Sequence, residues 1–432
     1  MFGTSGIRGL YGSEITPELA LRIGNAFAYS TITVGRDTRE TGELLANAVL
    51  SGAMGAGNDA ICCGIVPTPV LAFATLKHRA NGIMVTASHN PPEYNGLKLI
   101  SKGKEIGKEE EKKVLANYEK GISLSPWDKT GALLKDEAII GDYMEFILPL
   151  VDAESIRACA PKVVVDCNGA ARFATPRFLE GLGCKVIAMN TQPRGFARPS
   201  EPSAKNIEGL CAKVKAEKAD FGIAHDGDGD RISLVDERGY VINMDVQLSL
   251  MILNELEQKK GKVVSTVESS LIVKDAVAQG GGELLITPVG STYVGDKLEE
   301  TGAVFGGEPA GEYVYPKGVH VPDAILAAAK FAEMFARKGK FSSLSAPFRP
   351  FPMVREKYKT PDKKKAMEKI RAGMDFEGKL NEVDGLRIDA EDYWLLIRPS
   401  GTEHIIRLTL EAKEQKKLEE IHRIESEKYE QK

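Results

Sequence analysis

The chain has 432 residues, with 57 Lys+Arg against 61 Asp+Glu for a formal net charge of −4; 43% of its residues are apolar and 27% charged. At about 150 residues per domain, that length suggests roughly three domains, each able to bury a core. A charge balance this close to neutral, with no basic cluster interleaved with aromatics, argues against nucleic acid or acidic lipid as partner, and no run approaches the roughly 18 apolar residues of a membrane span.

The chain opens with MFGTSGIRGL, which lacks the apolar core of a signal peptide, and its six cysteines are scattered without CxxC spacing. Reduced thiols and a cytoplasmic location are therefore expected. Within this opening, the glycines of Gly3-Thr-Ser-Gly-Ile-Arg-Gly9 allow close backbone approach, and Arg8 offers a guanidinium fork to a phosphate. Residues 31–65 then read as strand, helix, strand: TITVGRD, TGELLANAVLSGAMGAG and NDAICCGI. The plan returns at 162–189 and again at 262–287, predicting three α/β domains with mostly parallel sheets.

Between these units lie loops with chemical content. Thr86-Ala-Ser-His-Asn-Pro-Pro92 follows the strand Gly82-Ile-Met-Val85. Its prolines stiffen the backbone and would hold Ser88 out at the carboxyl end of a strand, where α/β sheets bind ligands. An Asn-Pro-Pro turn with incidental Ser88 and His89 is the plainer alternative. Asp226-Gly-Asp-Gly-Asp-Arg231 follows the strand Phe221-Gly-Ile-Ala224 and places three carboxylates where one hard cation can collect them. An EF-hand would need Gly where Arg231 stands, and helices where both flanks read as strands. Gly306-Gly-Glu-Pro-Ala-Gly-Glu312 presents Glu308 and Glu312, either as acceptors for sugar hydroxyls or an amine or as a solvated acidic turn.

The tail differs in composition. A Ser- and Pro-containing linker at 342–350 precedes a charged stretch, 352–372, that reads as helical, then short strands and a Lys/Glu-rich helix from Lys413. Its loop Arg398-Pro-Ser-Gly-Thr-Glu403, with Arg407 close behind, has the hydroxyls, backbone amides and guanidinium groups of a phosphate cradle. The expected fold is three similar α/β mixed-sheet domains (1–145, 146–243, 244–346) and a smaller α+β domain (347–432).

In this order the loops resemble the α-D-phosphohexomutase family over essentially the whole chain. TASHNPPEYNGLK is similar to the family's phosphoserine loop, DGDGDR to its metal loop and RPSGTEHIIR to its phosphate-binding loop; GTSGIRG and GRDTR also match. The resemblance implies four domains lining one cleft, and an isomerase that moves phosphate between O6 and O1 of a hexose through phospho-Ser88 and a sugar bisphosphate. It implies one Mg²⁺ held by Asp226, Asp228, Asp230 and a Ser88 phosphate oxygen. Lys98 would serve as an acid/base or electrostatic group, with His89, Arg8 and Arg231 beside the reacting phosphate. Arg398, Ser400, Gly401, Thr402 and Arg407 would grip the other phosphate. A small sugar phosphate would be the partner of a monomer or homodimer, without nucleic acid or membrane.

The sugar loop departs from the family's usual GE-x-S-G-H: Ala310 replaces Ser and Glu312 replaces His, while Glu308 is kept. Glucosamine, mannose and glucose phosphates all suit the frame. An anionic Glu312 beside C2 would favour a cationic amine, so glucosamine phosphate is the expected substrate. The alternatives are a non-catalytic binding protein and a phosphatase on the same fold; a nucleotide kinase is disfavoured by the lack of GxxxxGK[ST].

Overall fold

The computed structural model describes residues 2–3, 5–373, 377–399 and 404–429, with 424–429 described by backbone alone. Each of the three repeated segments folds as a parallel strand–helix–strand unit. Ile32–Arg36 pairs with Ala60–Ile65, Lys162–Asp166 with Lys185–Met189, and Lys262–Thr266 with Glu283–Thr287. The first strand of each pair is apolar or small through its middle, with charged residues confined to its ends, as suits a strand covered on both faces. In the third unit Ser270 caps the helix Leu271–Gln279 by accepting the Ile272 N–H.

An antiparallel strand then joins each unit's sheet. Tyr94–Ser101 runs against Asn81–Val85, Ile232–Val235 against Phe221–His225, and Glu312–Val314 against Phe305–Glu308. The resulting mixed sheets of seven, four and four strands agree with the expected fold class. The acidic loop 226–231 lies between two paired strands, so the EF-hand alternative falls. One apolar core runs from Ile61 to Phe341 and ties the three units together. Its centre is the helix Ala324–Lys338, whose residues 324–334 are all buried; a helix apolar on nearly every face has to be.

The tail forms a five-stranded sheet in which every pairing is antiparallel. Here one expectation is corrected. Residues 352–372 are not helical throughout: Met353–Lys359 is a strand, and the helix starts only at Lys363. Charge masked the pattern, because MVREKYK alternates half-buried and exposed side chains with the period of two that an edge strand requires. The tail has its own core and meets the third unit through a small joint of Val267, Leu271, Trp394 and Leu396. Around that joint, buried Glu411 accepts from Ser270 Oγ at 2.6 Å and from the Leu271 N–H at 2.8 Å. Among the described residues, no helix is long and apolar enough to cross a membrane.

Candidate active site

The serine, metal and sugar loops meet at the carboxyl ends of the strands Asn81–Val85, Phe221–His225 and Phe305–Glu308. Ser88 follows Asn81–Val85 and is 1% exposed, its backbone in the left-handed region at φ +48°. The expectation of an outward-held serine is thus corrected: residues remote in sequence cover it. Its Oγ donates to Asp226 Oδ2 at 2.7 Å, and His89 Nδ1 lies 3.5 Å away. Burial, reinforced by Arg231 and Arg8, pushes the His89 imidazole down to about 3, so it stands neutral.

The acidic loop supplies three buried carboxylates whose ligand oxygens lie within 4.8 Å of one another. Gly229 at φ +67° provides the left-handed step that curls the chain around them. Lys98, on the strand Tyr94–Ser101, donates to Asp228 Oδ2 at 2.8 Å and to Asp230 Oδ2. Burial works against the Lys98 charge, but Asp228 and Asp230 outweigh it and raise the ammonium above its usual range. Burial, with Asp230 and Asp228 adding to it, lifts Asp226 well above the carboxylate range; Asp228 is lowered, since Lys98 overcomes the same penalty. Burial and Asp228 raise Asp230 to about 6.

Asp228 Oδ1 and Asp230 Oδ1 are buried and accept no hydrogen bond within the protein. Unspent anionic oxygens this close together cost free energy unless a cation takes them. The donor set, all carboxylate, suits a hard divalent ion. Two further buried atoms without partners, Arg8 Nε and Arg231 Nε, are donors of the kind a phosphate requires, and a third, Glu308 Oε1, is an acceptor for a hydroxyl or amine. Arg8 reaches this region because Ile7–Leu10 pairs with the Lys98 strand, Arg8 opposite Gly96.

The sugar loop closes on the metal loop. Arg231 Nη2 and Glu312 Oε1 are 2.6 Å apart, and Glu308 faces Glu312 across the ladder. One oxygen of Glu312, expected to face the sugar, is therefore engaged by the protein itself. Burial and the Glu312 charge hold Glu308 well above the carboxylate range. In the tail, Arg398 stands directly opposite Arg407 on neighbouring strands, so the two side chains share one face of the sheet. Arg398 also contacts Glu268 at 2.9 Å and Asp384 at 3.5 Å. The expected contacts Ser400, Gly401 and Thr402 lie outside the described residues.

Three supporting residues escaped the sequence reading. Thr68, after the strand Ala60–Ile65, gives its hydroxyl to Asp228 Oδ2 at 2.6 Å and its N–H to the Asp228 carbonyl at 2.8 Å. Ser200 Oγ donates to the Ser88 carbonyl at 2.7 Å and accepts the Gly227 N–H at 2.8 Å, joining serine loop to metal loop. Arg39 is buried and donates to the carbonyls of Ser88, Asn90, Pro91 and Tyr94, and to Asp37. Only Arg39 had a signal, since it ends the GRDTR match.

Comparison with known proteins agrees along nearly the whole chain. Residues 1–124, 141–239 and 243–351 match alpha/beta/alpha domains I, II and III of phosphoglucomutase/phosphomannomutase, and 353–428 match its C-terminal domain. A protein from Thermococcus kodakarensis named probable phosphoglucosamine mutase is 40% identical over 436 residues, covering 97% of this chain and 96% of that one. A protein of the same name from Methanopyrus kandleri is 39% identical, with 97% and 95% covered. A crystal structure of a phosphoglucomutase/phosphomannomutase family protein from Burkholderia thailandensis superimposes with a TM-score of 0.85 at 28% identity, covering 98% and 96%. A buried serine set on an acidic triad, within four matching domains, therefore places the chain in the phosphoglucomutase/phosphomannomutase family, as an isomerase of the α-D-phosphohexomutase type.

Proposed function

We propose that the protein interconverts glucosamine 6-phosphate and glucosamine 1-phosphate through phospho-Ser88. The observation that carries this reading is the 2.7 Å hydrogen bond from Ser88 Oγ into the three-carboxylate site, with Lys98 closing its other side. The sugar assignment leans on the names of the relatives at about 40% identity. Asp226, Asp228 and Asp230 would hold Mg²⁺, which when bound neutralises charge on the transferring phosphoryl group.

In the first half-reaction the Oγ–P bond of phospho-Ser88 breaks and a P–O bond forms to O1 of the sugar 6-phosphate. The proton lost from that hydroxyl ends on Ser88 Oγ, which donates it to Asp226 in a hydrogen bond. The product is a hexose 1,6-bisphosphate. Once this intermediate has turned round in the cleft, its O6–P bond breaks and the Oγ–P bond re-forms, while the Ser88 hydroxyl proton passes to O6, giving the sugar 1-phosphate and phospho-Ser88. Arg8 and Arg231 supply unspent donors to the group in transit, and the ammonium of Lys98 keeps Asp228 and Asp230 in place. Arg398 and Arg407, with the 400–402 segment, grip the idle phosphate and so hold the attacking hydroxyl in line. Domain limits at 145, 243 and 346 would give each loop its own domain.

Mutase assays on glucosamine, mannose and glucose 6-phosphates test the assignment. The largest kcat/KM is expected for glucosamine; a larger value for either neutral sugar would overturn the substrate. Asp228→Asn should weaken divalent-ion binding at least as much as loss of an outer partner does, about ten- to a hundred-fold. Titration calorimetry with Mg²⁺ reads this directly, and unchanged affinity would remove Asp228 from the site. Arg407→Ala should raise KM about ten- to a hundred-fold through loss of a charge-assisted contact worth about 1.5–3 kcal/mol. An unchanged KM in folded protein would show that the tail does not bind phosphate.

A further inference from the structure

The sugar loop is built onto the metal loop. The Gly311 carbonyl accepts the Ile232 N–H at 3.0 Å, and a Cβ on Gly311 would stand 2.1 Å from the Ile232 carbonyl oxygen. With φ at +75° as well, glycine alone lets the turn close there. The next residue, Glu312, reaches Arg231 at 2.6 Å, the two side chains being 10% and 18% exposed. Arg231 Nε is buried and makes no hydrogen bond. The guanidinium is therefore anchored through one nitrogen while another donor stays unspent for an arriving anion. Unanchored, so rotamer-rich a side chain would have to be immobilised in every catalytic cycle.

We infer that Glu312 is a positioning residue that holds Arg231 for the phosphoryl group in transit, and that it does not read the substituent at C2 of the sugar. This rests on the phosphohexomutase reading given above. A neutral imidazole, the residue expected from the family pattern, cannot give Arg231 a charged acceptor; Glu312 can. Because its negative charge is already met by Arg231, Glu312 has little left to offer a substrate ammonium.

The test compares wild type, Glu312→Gln and Glu312→His on glucosamine 6-phosphate and mannose 6-phosphate, with melting temperatures recorded for each. In both variants kcat should fall about ten- to a hundred-fold for both sugars, with KM little moved and the kcat/KM ratio between sugars kept. Phosphorylation of Ser88 by glucose 1,6-bisphosphate, followed by intact mass, should slow in proportion. Adding Glu312→Gln to Arg231→Gln should cost nothing further, since a pair broken once cannot be broken again. A ratio shifted about tenfold with kcat retained would make Glu312 a sugar reader and overturn the inference. So would additive losses in the double variant, or full activity in Glu312→His. A wild type with neither turnover nor Ser88 phosphorylation would instead overturn the phosphohexomutase reading, and this inference with it.

Discussion

Ser88→Ala should abolish mutase turnover and leave the protein's mass unchanged after exposure to glucose 1,6-bisphosphate, whereas the wild type gains one phosphate. The substitution deletes the proposed covalent carrier, and among the described residues the neighbouring hydroxyls are committed elsewhere: Thr86 donates to Asp37, Thr68 to Asp228 and Ser200 to the Ser88 carbonyl. Alanine bears the same left-handed backbone as serine at φ +48°, so the loop itself should persist. The cost to stability is one buried hydrogen bond to a carboxylate, about 1.5–3 kcal/mol. It should shrink in excess Mg²⁺, which replaces the lost proton donor at Asp226. Residual turnover near the wild-type rate, or a mass gain in the variant, would show that Ser88 is not the carrier.

Lys98→Met should damage both stability and turnover, and the two effects should respond differently to metal. Lys98 is 1% exposed and is held by Asp228 and Asp230. Methionine keeps the length of the side chain but leaves three buried carboxylates with one cation fewer. Removing one partner of a buried ion pair typically costs about 3–5 kcal/mol. A divalent ion restores much of the missing charge, so the fall in melting temperature should be larger in chelator than in excess Mg²⁺. Turnover should drop roughly a hundred- to ten-thousand-fold, the usual weight of a positioned proton or charge, and Mg²⁺ should not rescue it. Equal destabilisation with and without metal would mean that Lys98 and the ion do not share the same charge balance. Near-normal kcat would remove Lys98 from the reaction.

Local chemistry was written in the sequence wherever it depends on neighbours along the chain. Asp226, Asp228 and Asp230 alternate with glycines, so any curled backbone brings their oxygens to one point. The three strand–helix–strand units follow from runs of β-branched residues and helical segments of the right length. TASHNPP announces a stiff turn at a strand end. Only the tertiary structure decided which groups complete these loops. Ser88 is buried because Asp226 and Ser200, more than a hundred residues away, close over it. Thr68 carries no motif, yet with Lys98 it settles which oxygen of Asp228 stays free. The strand at Met353–Lys359 was hidden by its charge, because period-two alternation is weak when one face is only half buried. Glu312 marks the limit most sharply. Its departure from the family pattern is visible in the chain, but its partner Arg231 lies about eighty residues away, across a turn that closes only because Gly311 has no side chain. Sequence thus specified the reactive groups, and packing between domains specified their partners, since a charge's partner depends on distance in space rather than along the chain.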